Sequence, residues 1–171
     1  MVRHLAALGN RRIGFIGGQE GVRQTSERLN AYREAMESLE LEVIPELIAL
    51  SDYYTGDGYS AMQKILDGGE KPQAVIAIND RVALGAIRAM NDRGLRVPED
   101  MAIVSCDKFY DSDYYVPRLT TLDQQNDYLG RLSIMLLLGA IAGEGENIDV
   151  KHIPQLVINE SCGVNLGMRK D

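Results

Sequence analysis

Four short aliphatic segments that alternate with helical patterns predict an α/β protein with a parallel, doubly wound sheet. The predicted strands are 13–16, 43–50, 74–78 and 102–105, and their starts are 30, 31 and 28 residues apart. That spacing is the length of a strand–helix–strand unit, which joins parallel strands. The segments are continuously apolar, as expected when helices cover both faces of a sheet. A chain of 171 residues is long enough for one domain with a sizeable core.

Amphipathic helical patterns separate these predicted strands. The first helix is expected to begin at Thr25 or Ser26, because hydroxyl side chains are favoured at helix starts. The second lies between residues 57 and 68, where consecutive glycines end the pattern. The third begins at Asn79 or Asp80, ahead of a regular apolar stripe.

Beyond the fourth strand, the sequence predicts a strand at 119–122, a helix at 125–141 and a last strand at 153–158. The helix is unusual because residues 134–138 are apolar around its whole circumference. Such a helix should be buried on several faces. It is either a central core helix or a helix that packs into a second lobe, which this chain lacks.

Composition excludes several classes of function. The chain has 18 basic and 25 acidic residues and a net charge of −7, so it would repel nucleic acid and anionic membranes. Its longest uncharged apolar run, 132–143, is too short to span a bilayer. Cys106 and Cys162 form no C-x-x-C pair and are predicted to be reduced, which fits a cytoplasmic protein. With His4 and His152 they give no familiar zinc spacing, so no metal is expected.

Polar residues follow the predicted strands where a ligand would bind. In open α/β sheets, ligands lie beyond the carboxyl ends of the strands. Gly17, residues 50–52, Asn79, Asp80 and Asp107 lie at those ends. Amides both donate to and accept from hydroxyl groups and carboxylates accept from them, so this ring suits a polyol or a sugar. The alternative is structural, with Asn79 or Asp80 capping a helix and Asp107 capping a turn.

No catalytic motif is present in the sequence. The glycines of residues 14–21 lack the G-x-G-x-x-G spacing, and neither a phosphate-binding G-x-x-x-x-G-K-[ST] loop nor a G-x-S-x-G elbow occurs. Tyrosines at 53–54, 110 and 114–115 suggest instead a surface that meets a partner or ligand. The sequence therefore predicts a binding protein without a cofactor, and not an enzyme.

Several segments resemble the effector-binding core of the lactose-repressor (LacI/GalR) family of bacterial transcription regulators. They read AVIAINDRVALGAIRAMNDRGLRVPEDMAIVSCDKF from residue 74 and VPRLTTLDQQNDYLG from residue 116. The start of the chain, HLAALGNRRIGFIGG followed by ERLNAYREAM, resembles the same family. The resemblance extends from about residue 4 to residue 163, with the motifs in the family's order.

This resemblance implies a periplasmic-binding-protein-like core, in which an effector binds between two α/β lobes. Residues 1–122 and 151–165 would form the second lobe, and 123–150 would be a returning segment that packs in the first. The DNA-binding head and most of the first lobe would lie outside this chain. The implied function is allosteric repression controlled by a sugar-like effector. The alternative is a periplasmic sugar-binding protein for transport or chemotaxis, whereas an enzyme on such a sheet lacks any motif here.

The resemblance also implies roles for particular residues. Arg28, Asn79 and Asp107 match positions that bind the effector in the family, and Gln124, also expected at the ligand site, matches a position near the inter-lobe pocket and hinge. A homodimer is expected, and its face matches Leu84, Arg88, Asp111, Tyr114 and Tyr115.

Overall fold

The computed structural model describes residues 1–109, 113–143 and 150–168. It contains one mixed sheet of six strands, flanked by helices. The strands are β1 (Ile13–Gly17), β2 (Ile48–Leu50), β3 (Ala74–Ala77), β4 (Ala102–Ser105), β5 (Thr120–Asp123) and β6 (Gln155–Val157). The helices are α1 (Val2–Ala7), α2 (Arg23–Ser38), α3 (Thr55–Asp67), α4 (Asp80–Asp92) and α5 (Asn126–Ile141). Short 3₁₀ turns occupy Pro45–Leu47, Glu160–Cys162 and Val164–Met168.

The sheet confirms the predicted parallel, doubly wound topology. Its strand order is β2-β1-β3-β4-β5-β6, and all neighbouring strands are parallel except β5 and β6. Strands β1, β3 and β4 are buried along their whole length, which explains their continuously apolar sequences. The parallel arrangement brings the carboxyl ends of β1 to β5 to one edge of the sheet.

Helix α2 covers one face of the sheet. Tyr32 stacks on Phe15 of β1 with ring centroids 5.3 Å apart, and its hydroxyl donates to the carbonyl of Ile13 at 2.7 Å. Burial of the phenol raises the pKa of Tyr32 to about 12. Helix α2 is therefore anchored by an apolar contact and by a satisfied polar group on the same side chain.

Helices α3 and α4 pack closely on the opposite face. A Cβ at Gly85 would lie 1.9 Å from the carbonyl oxygen of Thr55, and one at Gly58 would lie 2.3 Å from that of Val82. Only glycine allows backbones to approach so closely. The inward side chains of this pair, including Met62, are fully buried.

Two predicted boundaries were clearly displaced, and one short helix was not predicted. The strand predicted at 43–50 is shortened to Ile48–Leu50, because Pro45 opens a 3₁₀ turn and lacks an N–H to donate to a ladder. Helix α2 begins at Arg23, not after Thr25 or Ser26, and Val22 stands at its cap without a side-chain hydrogen bond. The six-residue helix α1 was not predicted, since it is too short for a clear periodic signal.

Helix α5 contradicts the expectation that it is a central core helix. None of its residues is buried, and Met135 and Ile141 are 69% and 74% exposed. The helix leaves β5 through Gln125, whose φ is +54°. Its apolar side chains are therefore not buried by any of the described residues.

Within the described residues, no helix is both long and apolar enough to cross a membrane.

Candidate ligand-binding site

Arg28 and Asp107 form a forked ion pair at the carboxyl edge of the sheet. Arg28 lies on α2, and Asp107 follows β4. The guanidinium donates from Nη2 to Oδ1 at 3.2 Å and from Nη1 to Oδ2 at 3.3 Å. Nη1 also donates to the carbonyl of Ile78, at the end of β3, at 2.7 Å. The two side chains remain 20% and 33% exposed, so the pair lies within reach of solvent and solutes.

Gln124 completes this cluster from the end of β5. Its Nε2 donates to Oδ1 of Asp107 at 3.0 Å and to the carbonyl of Cys106 at 3.3 Å. Asp107 thus accepts hydrogen bonds from a side chain on α2 and from the side chain that follows β5. The structure brings together three of the four predicted site residues, Arg28, Asp107 and Gln124.

Asn79 occupies the same edge but has a structural role. Its Oδ1 accepts from the Val82 N–H at 2.8 Å and caps α4, as the structural alternative predicted. Its Nδ2 donates to the carbonyl of Tyr53 at 3.1 Å, and the residue is only 6% exposed. Contact of Asn79 with a ligand stays a prediction.

Tyr53, which the sequence indicated only as part of a tyrosine cluster, is hydrogen-bonded to Asn79 through its carbonyl. Its backbone has a φ of +70°, an uncommon conformation for a residue with a side chain. The Tyr53 hydroxyl bonds to Oγ1 of Thr25 at 2.8 Å. A Cβ at Gly18 would lie 2.2 Å from the Tyr53 ring, so glycine is needed there. The sequence signal was the glycine pair at the end of β1, of which Gly18 leaves room for the ring.

Asp80 was predicted as a possible helix cap, but Asn79 has that role. The Asp80 side chain is instead fully buried and accepts from the Phe109 N–H at 3.0 Å. It also accepts from Thr121 Oγ1 at 3.0 Å and from the hydroxyl of Ser105. Asp80 therefore joins the start of α4 to β4, β5 and the loop after β4.

A cavity of about 310 Å³ adjoins the polar cluster. Arg28 and Gln124 border it, together with Cys106 and apolar side chains that include Leu122. Burial raises the pKa of the Cys106 thiol to about 12, so the thiol is not a nucleophile at neutral pH. In the part of the chain that the structure describes, no group of three potential metal ligands occurs.

The arrangement can recognise hydroxyl groups. A guanidinium supplies several donors in fixed directions, a carboxylate accepts, and an amide does both. Because Arg28 and Gln124 both donate to Asp107, a ligand that binds here would have to exchange those hydrogen bonds for its own. Ligands that offer neighbouring donors and acceptors fit this exchange best.

Four of the five residues predicted for a dimer face are among the described residues. Leu84 is half-buried on α4, and the Arg88 side chain is 72% exposed and pairs with Asp92 at 2.9 Å. Tyr114 is 85% exposed, whereas Tyr115 packs partly against the core. Asp111 lies outside the described residues. Their role in assembly stays a prediction.

An open α/β lobe with a cation, a carboxylate and amides at the carboxyl edge of its sheet is of the small-molecule-binding class. The chain belongs to the periplasmic binding protein-like domain family, whose profile matches residues 2–162.

Comparison with known proteins confirms the resemblance to the lactose-repressor family. The chain is 35% identical over 163 residues to the HTH-type transcriptional repressor PurR of Haemophilus influenzae, covering 93% of this chain and 48% of that protein. It is 33% identical over 173 residues to the repressor MelR of Bacillus subtilis, covering 95% and 49%. The chain therefore spans about half the length of the curated relatives it matches.

Solved structures agree with the sequence relatives. A dimeric Lac repressor superposes with a TM-score of 0.88 at 30% identity, over 94% of this chain and 58% of that one. The transcriptional regulator CelR, in complex with cellobiose, gives a TM-score of 0.86 at 32% identity, over 94% and 49%. The Escherichia coli repressor AscG gives 0.88 at 25% identity, over 94% and 58%.

Proposed function

We propose that this chain is an effector-binding lobe of a LacI-type transcriptional repressor and that its effector is a small, sugar-like molecule. The observation that carries the proposal is the cluster of Arg28, Asp107 and Gln124 at the carboxyl edge of the sheet. In this proposal Asn79 adds a further polar contact. The protein acts by binding, without catalysis, in the cytoplasm.

In this proposal, effector binding at this cluster would control DNA binding by head domains that are not in the given chain. We propose that residues 1–122 and 151–165 act as one lobe and that 123–150 packs in another. The exposed apolar side chains of α5 support this division, because they need a partner to cover them. Effector would change the angle between lobes, and that change would bias the DNA-binding heads. This chain alone, with its net charge of −7, would not bind an operator in a gel-shift assay.

The alternative, a periplasmic sugar receptor, has less support. The relatives described above are repressors or transcription regulators. The geometry of the lobe is compatible with a repressor and with a receptor, so the preference for a repressor rests on the relatives.

Isothermal titration calorimetry with a panel of D-galactose, cellobiose and adenine tests the proposal. We expect a sugar to bind weakly, because a single lobe buries only part of a ligand. Arg28→Lys keeps the charge but loses the fork, and Asp107→Asn keeps the shape but loses the charge. Each should weaken binding by about tenfold or more.

Arg93→Lys is the matched control, since Arg93 pairs with Asp67 at 2.6 Å on the α3–α4 surface. It should leave sugar affinity unchanged. Submicromolar sugar binding would contradict the expectation that a single lobe binds weakly. Equal losses in Arg28→Lys and Arg93→Lys would count against the assignment of the site.

We also propose a homodimer formed through the face that contains Leu84, Arg88 and Tyr114. The high exposure of Tyr114 and the half-exposed Leu84 support this face. Light scattering at micromolar concentration should give a dimer mass that Leu84→Glu reduces to that of a monomer. A monomer mass unchanged by Leu84→Glu would reject this interface.

A further inference from the structure

Asp80 is the one charged residue that is buried among the described residues. A buried carboxylate is stable only when hydrogen bonds replace its lost hydration. Here the Phe109 N–H and the Thr121 hydroxyl each donate to it at 3.0 Å, and the Ser105 hydroxyl donates as well. Its position directly after Asn79 fixes it at the first turn of α4.

The donors to Asp80 belong to the segments that carry the candidate site. Phe109 lies two residues after Asp107, in the loop that leaves β4. Thr121 lies on β5, three residues before Gln124. The Asp80 carboxylate therefore binds both segments that meet at the Asp107–Gln124 hydrogen bond, the loop after β4 and strand β5. Asp80 itself belongs to α4.

We propose that Asp80 is a positioning residue for the effector site. Its carboxylate fixes the segment that follows β4 (the β4 exit) relative to β5 and the segment that follows it (the β5 exit). This role rests on the proposed function. Asp80 does not contact the effector. It sets the separation of Asp107 and Gln124, so that both meet a ligand without rearranging. Small errors of position are costly in such sites, because each hydrogen bond depends on distance and direction.

Cys106 provides a probe of the β4 exit that needs no effector. It directly precedes Asp107, is 2% exposed, and accepts a hydrogen bond from Gln124 at its carbonyl. Alkylation by iodoacetamide requires the thiol to become exposed, so its rate reports local opening. Cys162 reports on the middle of β4 in the same molecule. It is 1% exposed and follows Ser161, whose hydroxyl donates to the Ile103 carbonyl at 2.6 Å. Peptide mass spectrometry measures the two rates separately.

Asp80→Ala should speed alkylation of Cys106 by about tenfold or more and that of Cys162 by less than about twofold, as expected from losing hydrogen bonds to a charged group. Asp80→Asn keeps a carbonyl oxygen for the Phe109 N–H and should restore most of the protection. Asp100→Ala is the control, since Asp100 also accepts a backbone N–H, from Arg96 at 2.8 Å, but lies before β4. It should leave both rates unchanged under native conditions.

Equal acceleration at both cysteines, or the same acceleration of Cys106 in Asp100→Ala, would overturn the proposal. If Asp80→Ala does not fold, Thr121→Val removes one of the hydrogen bonds with little change of shape. A Cys106 rate in that variant equal to that of the unmodified chain would then overturn it.

Titration of the same variants with D-galactose, cellobiose and adenine separates this inference from the proposed function. If none of the three binds the unmodified chain, the proposed function fails, and the alkylation rates still decide the role of Asp80. If one binds, Asp80→Ala should weaken it by about tenfold or more, with Asp80→Asn in between and Asp100→Ala unchanged. Unchanged affinity in Asp80→Ala would refute the positioning role.

Discussion

Helices α4 and α5 are both rich in apolar residues, yet they occupy opposite environments. In α4, 8 of 13 residues are buried, and its polar residues other than Asp80 face solvent. In α5, none of 16 residues is buried. The difference lies in the neighbours, because α4 packs against α3 and the sheet while α5 leaves the sheet after β5. Apolar composition therefore indicates that a helix needs a partner, and amphipathic patterning indicates where that partner lies.

The largest expected effect separates two methionines. Met62 on α3 is fully buried, and Met135 on α5 is 69% exposed. We expect Met62→Ala to reduce the free energy of unfolding by about 3 kcal/mol and Met135→Ala to change it by less than about 0.5 kcal/mol. Urea unfolding at low protein concentration measures both. Similar losses in the two variants would show that α5 is packed in solution.

Two glycines sharpen the same contrast. Gly85→Ala places a Cβ within 1.9 Å of the Thr55 carbonyl, whereas Gly139 has nothing within 4 Å. We expect Gly85→Ala to destabilise the fold by about 2–3 kcal/mol, through separation of α3 and α4. Gly139→Ala should instead stabilise by up to about 1 kcal/mol, because alanine favours helix. Thermal unfolding monitored by circular dichroism should therefore shift in opposite directions.

A smaller effect is expected from charging the exposed apolar surface of α5. Leu138 is 60% exposed, so Leu138→Lys should change the free energy of unfolding by less than about 0.5 kcal/mol. It should nevertheless reduce binding of the dye anilinonaphthalene sulfonate, which reports exposed apolar surface. Asn30→Lys, on an exposed position of α2, adds the same charge and should leave dye binding unchanged.

The smallest effect concerns pH and the packed half of the molecule. Hydrogen bonds from the Arg96 side chain and backbone lower the pKa of Asp100 from 3.8 to about 2. Since the folded state holds the carboxylate charged, its stabilisation is complete above pH 3.8 and is lost as the pH falls towards 2. Asp100→Asn should lose less stability over that window than the unmodified chain. Identical pH profiles would exclude this contribution.

The parts of the fold that could be predicted from sequence are those whose signals are local. Continuous apolar runs located β1, β3 and β4, since strands covered on both faces need no polar side. The start of α4 was expected at Asn79 or Asp80, because such a residue ahead of an apolar stripe is a local pattern, and the structure assigns the cap to Asn79. The shortening of β2 could also have been anticipated from Pro45, which cannot donate to a ladder.

Features that were missed depend on contacts distant in sequence. Tyr53 keeps its positive φ while bonded to Thr25 and Asn79, residues 28 and 26 positions away. The buried role of Asp80, which was considered only as a possible cap or a polar residue at a strand end, was missed because its partners on β4 and β5 come later in the chain. Of the candidate site, residue types at strand ends predicted Asp107, whereas the resemblance supplied Arg28 and Gln124.

The junction at Gln125 has a mechanical consequence. A single left-handed residue, pinned by its N–H to Asp123 Oδ1 at 2.8 Å, sets the direction in which α5 departs. A helix of 16 residues is about 24 Å long, so a turn of 10° at its base displaces the far end by about 4 Å. A small torsional change at this junction, directly after Gln124, would therefore displace Ile141 by about the size of a side chain.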